Sequence, residues 1–171
     1  KINGIAAGEK EWRLVREVLA AVPGVREVIS DVRFLGPEKC PALDVFTPLL
    51  HDTGNGPAIS FARPDATFYR GEKLMLTVTA PDRASFLYVD YYYINKGQLW
   101  VVHMLPRPRQ KPEWIAANTR LSLGQGGEWQ VGPPFGSDLI TTLSVLEPLN
   151  LGNRPEVEPA APYLAALQKE L

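Results

Sequence analysis

Between Ala84 and Leu105 the sequence runs ASFLYVDYYYINKGQLWVVHML, two apolar and aromatic stretches on either side of Asn95-Lys96-Gly97. A turn of that composition between two β-prone runs predicts a β-hairpin. Side chains alternate along a strand, so Phe86, Tyr88, Asp90, Tyr92 and Ile94 share one face of the first arm, and Leu87, Val89, Tyr91 and Tyr93 share the other. In the second arm Leu99, Val101, His103 and Leu105 oppose Trp100, Val102 and Met104. Both faces are largely apolar, as central strands covered on two sides require and an edge hairpin with one wet face does not. The rest of the chain has to be built around this hairpin.

Upstream, Lys1–Ala7 has the pattern of a short strand ending at Gly8, and a helix is predicted from Glu9 to Ala21. Its apolar stripe is Trp12, Val15, Leu19 and Val22, with Val18 beside it. Pro23-Gly24 stops the helix, and Val25–Leu35 alternates as a half-buried strand does. Helix, Pro-Gly and strand together make half of a small α/β unit. Gly36-Pro37 then breaks the strand, Cys40-Pro41 opens a short helix to about Leu50, and Pro48 shortens or kinks its last turn. The run His51–Pro57, HDTGNGP, is the clearest boundary signal in the chain.

Beyond it the pattern is β. Strands are predicted over Ala58–Ala62, Thr67–Tyr69, Lys73–Ala80, Arg120–Leu123, Glu128–Val131 and Leu139–Leu146. The intervening segment PRPRQKPEW cannot be a central strand, because each of Pro106, Pro108 and Pro112 lacks a ladder donor. Glu158–Leu171 is predicted as a closing helix, with Pro159 and Pro162 near its start and Tyr163, Leu164 and Leu167 to dock it. The fold class expected is therefore α+β. A small α/β unit over residues 1–52 precedes a predominantly antiparallel β-sandwich or open barrel over 58–149, followed by a tail and docking helix over 150–171.

With 171 residues the chain is long enough for a sizeable core. A net charge of -1 provides no global field to steer nucleic acid, and no apolar run reaches the roughly 20 residues that cross a bilayer. The sequence opens at Lys1 without Met, which points to a piece of a longer protein or a processed product. Cys40, the only cysteine, reads either as a small buried side chain or as half of a bridge to a partner upstream.

Several stretches together resemble a known family. YRGEKLMLTVTAP, SFLYVDYYYINKGQLWVVHMLP and PFGSDLITTLSVLEPL are similar to an uncharacterised bacterial β-domain found after serine/threonine kinase, caspase-like or repeat domains. VPGVREVISDVRF resembles the end of a BON-type α/β repeat, through Gly24, Val25, Val28 and Val32. RPEVEPAAPYLAAL resembles the tail that follows this β-domain in kinase-linked proteins. The resemblance implies a sandwich-like or open-barrel fold and a sensory or partner-binding appendage; it brings no enzymatic activity and no binding residues.

Chemistry-bearing residues are sparse. His103 shares its face with Leu99, Val101 and Leu105, the setting of a satisfied core histidine. Asp90 lies among tyrosines and must find donors if buried, with a Tyr hydroxyl or a backbone group as the expected partner; no spacing supplies a second carboxylate for a dyad. One Cys and two distant His, His51 among them, lack the spacing of a zinc site. Ser137 lacks a Gly-x-Ser-x-Gly elbow, and Gly124–Gly127 lacks the Lys-Ser/Thr of a phosphate loop, so neither a serine hydrolase nor a nucleotide cradle is expected. No catalytic residue, cofactor or metal is expected.

One exposed segment joins what a binding loop needs. Prolines lower the ordering cost, Arg107, Arg109 and Lys111 supply donors, and Trp114 offers an apolar anchor. The expected function is a non-catalytic interaction or sensing module, an appendage of a bacterial signalling protein such as a serine/threonine kinase. Its expected partner is a protein or an envelope ligand, with no nucleic acid and no membrane span. The alternatives are a structural accessory of an envelope or secretion assembly and, last, an enzyme built on Asp90 and nearby tyrosines. The compartment stays open between the extracytoplasmic side and the cytoplasm.

Overall fold

A computed structural model describes residues 1–52 and 55–171. Its centre is the predicted hairpin: strand β5 (Ser85–Asn95) turns through Lys96 and Gly97 into β6 (Gln98–Leu105). Both turn residues have positive φ, 51° and 76°, the twist that a two-residue hairpin turn requires. Asp90 pairs with His103 but Val89 pairs with Leu105, so Met104 is an extra residue on β6. That bulge reverses the alternation, and Leu105 packs on the side of Val89, not on the side of Val101 as strict alternation predicts.

The strands preceding the hairpin are β1 (Ile2–Ala6), β2 (Ser30–Phe34), β3 (Ala58–Phe61) and β4 (Leu76–Thr79). Those following it are β7 (Trp114–Ile115), β8 (Arg120–Leu123), β9 (Leu139–Val145) and β10 (Val157–Pro159). One sheet runs β10-β6-β5, with β9 and the short β7 both pairing β5; a second runs β3-β4-β8. Every pairing in these two sheets is antiparallel. The sheets share a core, in which Leu76, Val78 and Leu123 meet Leu87, Val89 and Met104. The opposite face of β5 and β6 is covered by two helices, α2 (Cys40–Phe46) and α3 (Ala160–Glu170). Here Ala42, Phe46, Tyr163, Leu164 and Leu167 pack on Tyr88, Tyr92, Val101 and Leu143. The hairpin is thus buried on both faces, and the fold is α+β: sheet, sheet and helices in layers.

In α3, Ala160, Tyr163, Leu164 and Leu167 are buried, the i, i+3, i+4, i+7 stripe of a helix docked on one face. Pro162 sits in the first turn, where its missing N–H costs nothing. In α2 the α-helix ends at Phe46 and gives way to a 3-10 turn over Thr47–Asp52, the shortening expected from Pro48. The boundary expected across His51–Pro57 includes residues 53 and 54, which lie outside the described residues.

At the N-terminus β1 and β2 pair in parallel, joined by helix α1 (Glu9–Ala20). β2 is shorter than the predicted strand because β1 offers partners only from Ser30 onward. No residue of α1 is buried; Val15 of the predicted apolar stripe, Val18 beside it and Val22 just past the helix end are exposed, Val18 by 69%. A two-stranded sheet is too narrow to cover an amphipathic helix.

Two predicted strands are absent. Residues 67–69 are held by side chains, with Arg63 donating to Thr67 O, the Thr67 amide donating to Asp65 and the Tyr69 amide to Glu72. Such bonds compete with a ladder. Residues 128–131 form only a bridge, Lys73 with Gln130. Conversely β7 and β10, at two and three residues, carry too little alternation to be seen in sequence.

Candidate functional site

β5 and β6 place Asp90 and His103 side by side, and Oδ1 of Asp90 accepts a hydrogen bond from Nδ1 of His103 at 2.7 Å. On the other side of the imidazole, Oε1 of Glu158 lies 3.1 Å from Nε2. Glu158 reaches it because β10 adds to the edge of β6, setting Glu158 opposite Val101. Tyr163, on the first turns of α3, donates its hydroxyl hydrogen to Oδ2 of Asp90 at 2.5 Å. Its ring stands edge-on to His103 at 4.6 Å.

Arg154 closes the cluster. Its Nη1 contacts both Glu158 oxygens, at 3.0 and 3.3 Å, and its Nε donates to Leu151 O at 2.9 Å. Asp90, His103 and Glu158 are all buried. A neutral imidazole has one N–H and one lone pair, so with a carboxylate on each nitrogen only the doubly protonated ring satisfies both. Burial alone presses the His103 pKa down, but the hydrogen bonds and charges of Asp90 and Glu158 outweigh it and hold it above the usual imidazole value. Burial, and then the charge of Asp90, push the Tyr163 hydroxyl far up, so it is a donor throughout the physiological range.

His103 and Arg154 line a cleft of about 770 Å³, and with Asp90 and Tyr163 they line an adjoining hollow of about 300 Å³. One lip is the segment after β6, carrying Arg107, Arg109, Gln110 and Lys111; the other carries Asn153, Arg154 and Glu156. Arg107 forms an ion pair with Glu128, and its guanidinium lies 5.6 Å above the Trp129 ring. Arg109 has φ 66°, in the left-handed region. Among the described residues neither Arg109 nor Lys111 has a carboxylate partner. Trp129 also lines the cleft, and its indole N–H is buried without an acceptor.

Of the four residues predicted as a partner surface, Arg107 and Arg109 line both the cleft and the hollow, and Lys111 joins them in the hollow. Trp114 does not join them: it lies on β7, 54% exposed, with its ring edge-on to Phe86 at 5.0 Å. The sequence reading missed Glu158, Arg154 and Tyr163 as members of one cluster. A signal was available in Arg-x-x-x-Glu-x-x-x-x-Tyr within the tail, but only the pairing of β10 with β6 turns it toward His103.

Asp90 and Glu158 sit on opposite nitrogens of one ring and do not converge, and among the described residues no group of His, Cys, Asp or Glu is arranged to hold a metal. Cys40 is a free, partly buried thiol at the start of α2. Among the described residues no helix is long and apolar enough to cross a membrane. Comparison of the chain with family models, with curated proteins and with solved structures returns no match.

Proposed function

We propose that this chain is a non-catalytic interaction or sensing module, an appendage of a bacterial signalling protein such as a serine/threonine kinase, and that its interaction surface is the cleft above His103. One observation carries the reading: both nitrogens of His103 are engaged by carboxylates, while the cations of the lip stand around an open cleft. A general base needs a lone pair directed at its substrate, and here none is free. Convergent donors around a concave site are what recognition needs.

The test is photo-crosslinking in the native host with a photoreactive residue at Gln110 or Asn153, one on each lip, and a control at Ser137. Adducts from the lips and none from Ser137 are expected. Adducts that are identical at all three positions, or absent from both lips, would reject the cleft as the interaction surface.

A second reading draws on a different observation. Ile5, Leu14, Val18 and Ile29 of the N-terminal unit are exposed apolar side chains. A structural accessory of an envelope or secretion assembly would use such a unit as a packing element.

A further inference from the structure

We infer that the cleft between the Pro106–Pro112 segment and the Leu149–Glu156 segment is a binding site for an oxyanion, a phosphate or a carboxylate, with Arg154 and Arg109 as its anchors across the two lips. The guanidinium of Arg154 is fixed from behind through Nε on Leu151 O and Nη1 on Glu158. Among the described residues its Nη2 has no partner, so two N–H donors remain on a side chain that has already lost its rotamer freedom. A guanidinium held in this way recognises an anion at low ordering cost.

The local charge leaves room for that anion. Glu128 is engaged by Arg107, Glu158 by Arg154 and His103, and Asp90 by His103 and Tyr163. Glu156 is then the remaining carboxylate lining the cleft of about 770 Å³ with Arg109, while Lys111 lines the adjoining hollow. The chain as a whole carries -1, so this surplus is local and is not a reflection of the composition. Gln110 and Asn153 add amide donors, one from each lip. A volume of about 770 Å³ is far more than a bare phosphate fills, so the anion is a group borne on a larger molecule.

The inference rests on reading the cleft as an interaction surface, and the test separates the two. The chain, labelled with ¹⁵N, is titrated with inorganic phosphate, with a phosphoserine peptide, with a glutamate peptide and, as a control, with sodium chloride at matched ionic strength. Saturable shifts centred on Gln110, Asn153 and the Arg154 Nε–H are expected, with the tighter peptide identifying phosphate or carboxylate as the source. Arg109→Gln with Lys111→Gln, both on an exposed loop, should weaken binding about tenfold. Shifts that follow sodium chloride, or that fall equally on Arg63 and Arg70, would overturn the inference. Crosslinked partners from the lips without saturable anion binding would remove the inference and leave the interaction reading; anion binding without crosslinked partners would do the reverse.

Discussion

Tyr163 and Asp90 are 73 residues apart in sequence and 2.5 Å apart in space, the Tyr hydroxyl donating to Oδ2 of the carboxylate. The other oxygen of that carboxylate holds His103. One buried side chain of the central hairpin therefore fixes both its cross-strand neighbour and the C-terminal helix.

Tyr163→Phe keeps the ring against His103 and deletes only the donor. Oδ2 of Asp90 is then left buried and unsatisfied, which costs about 1 to 3 kcal/mol. Urea unfolding should show that loss as a lower midpoint at unchanged slope. An unchanged midpoint would mean that water reaches Asp90 and that α3 is docked by its apolar stripe alone.

Stability should depend on pH through His103. Its folded pKa lies above the unfolded value of about 6.5, so the folded protein keeps a proton that the unfolded chain releases. The stabilisation is complete below that unfolded value and is lost as pH rises through the folded pKa. Thermal midpoints measured from about pH 6 to about pH 9 should fall across this window for wild type. His103→Gln should be less stable at the acid end and should flatten the slope; the same slope in both proteins would assign the pH dependence elsewhere.

The Asp90 partner shows how much of the site a sequence discloses. Alternation along β5 is enough to bury Asp90 among aromatic side chains and to demand a donor, and a tyrosine hydroxyl is the donor found. Alternation also puts His103 on the Val101 face, where it sits. Glu158 is different. By local pattern it belongs to the closing helix, because Pro159 and Pro162 mark a helix start. It becomes a strand residue only when the edge of β6 offers a partner, a preference no local propensity encodes. Arg107, Arg109 and Lys111 are legible as an exposed basic segment, whereas the opposite lip depends on the fold. Trp114 is grouped with them by sequence proximity and separated by two residues of β7 pairing with Ser85 and Phe86.

Val89 and Val101 sample the two faces of the hairpin. Both have no solvent exposure, Val89 between the two sheets and Val101 beneath the helices. Val89→Ala and Val101→Ala should each cost about 1 to 4 kcal/mol in chemical denaturation through lost burial and a residual cavity. Because they lie in separate clusters, the double variant should lose close to the sum. A loss confined to one of them would leave only one face of the hairpin as core.

Gly124 follows β8 with φ +83°, and a Cβ there would run into the carbonyl oxygen of Leu74 and press on the Trp129 ring. Leu74 is a buried core residue whose amide bonds to Trp129 O at 2.9 Å, so its backbone cannot yield without opening the contact between residues 72–74 and 129–131. Gly124→Ala thus combines an unfavourable left-handed backbone with a clash against backbone, and about 2 to 4 kcal/mol of destabilisation is expected. Gly132→Ala is the matched control, since its added Cβ meets nothing within 4 Å and its φ lies outside the left-handed region. Differential scanning calorimetry should show a large drop in melting temperature for the first and little change for the second. Since Trp129 lines the cleft, Gly124→Ala should also perturb the Arg107 side chain stacked on it, visible as a shift of the Arg107 Nε–H resonance. Equal melting temperatures for the two variants would show that the Gly124 turn relaxes freely and that Trp129 is positioned by something other than the packing of Gly124 on Leu74.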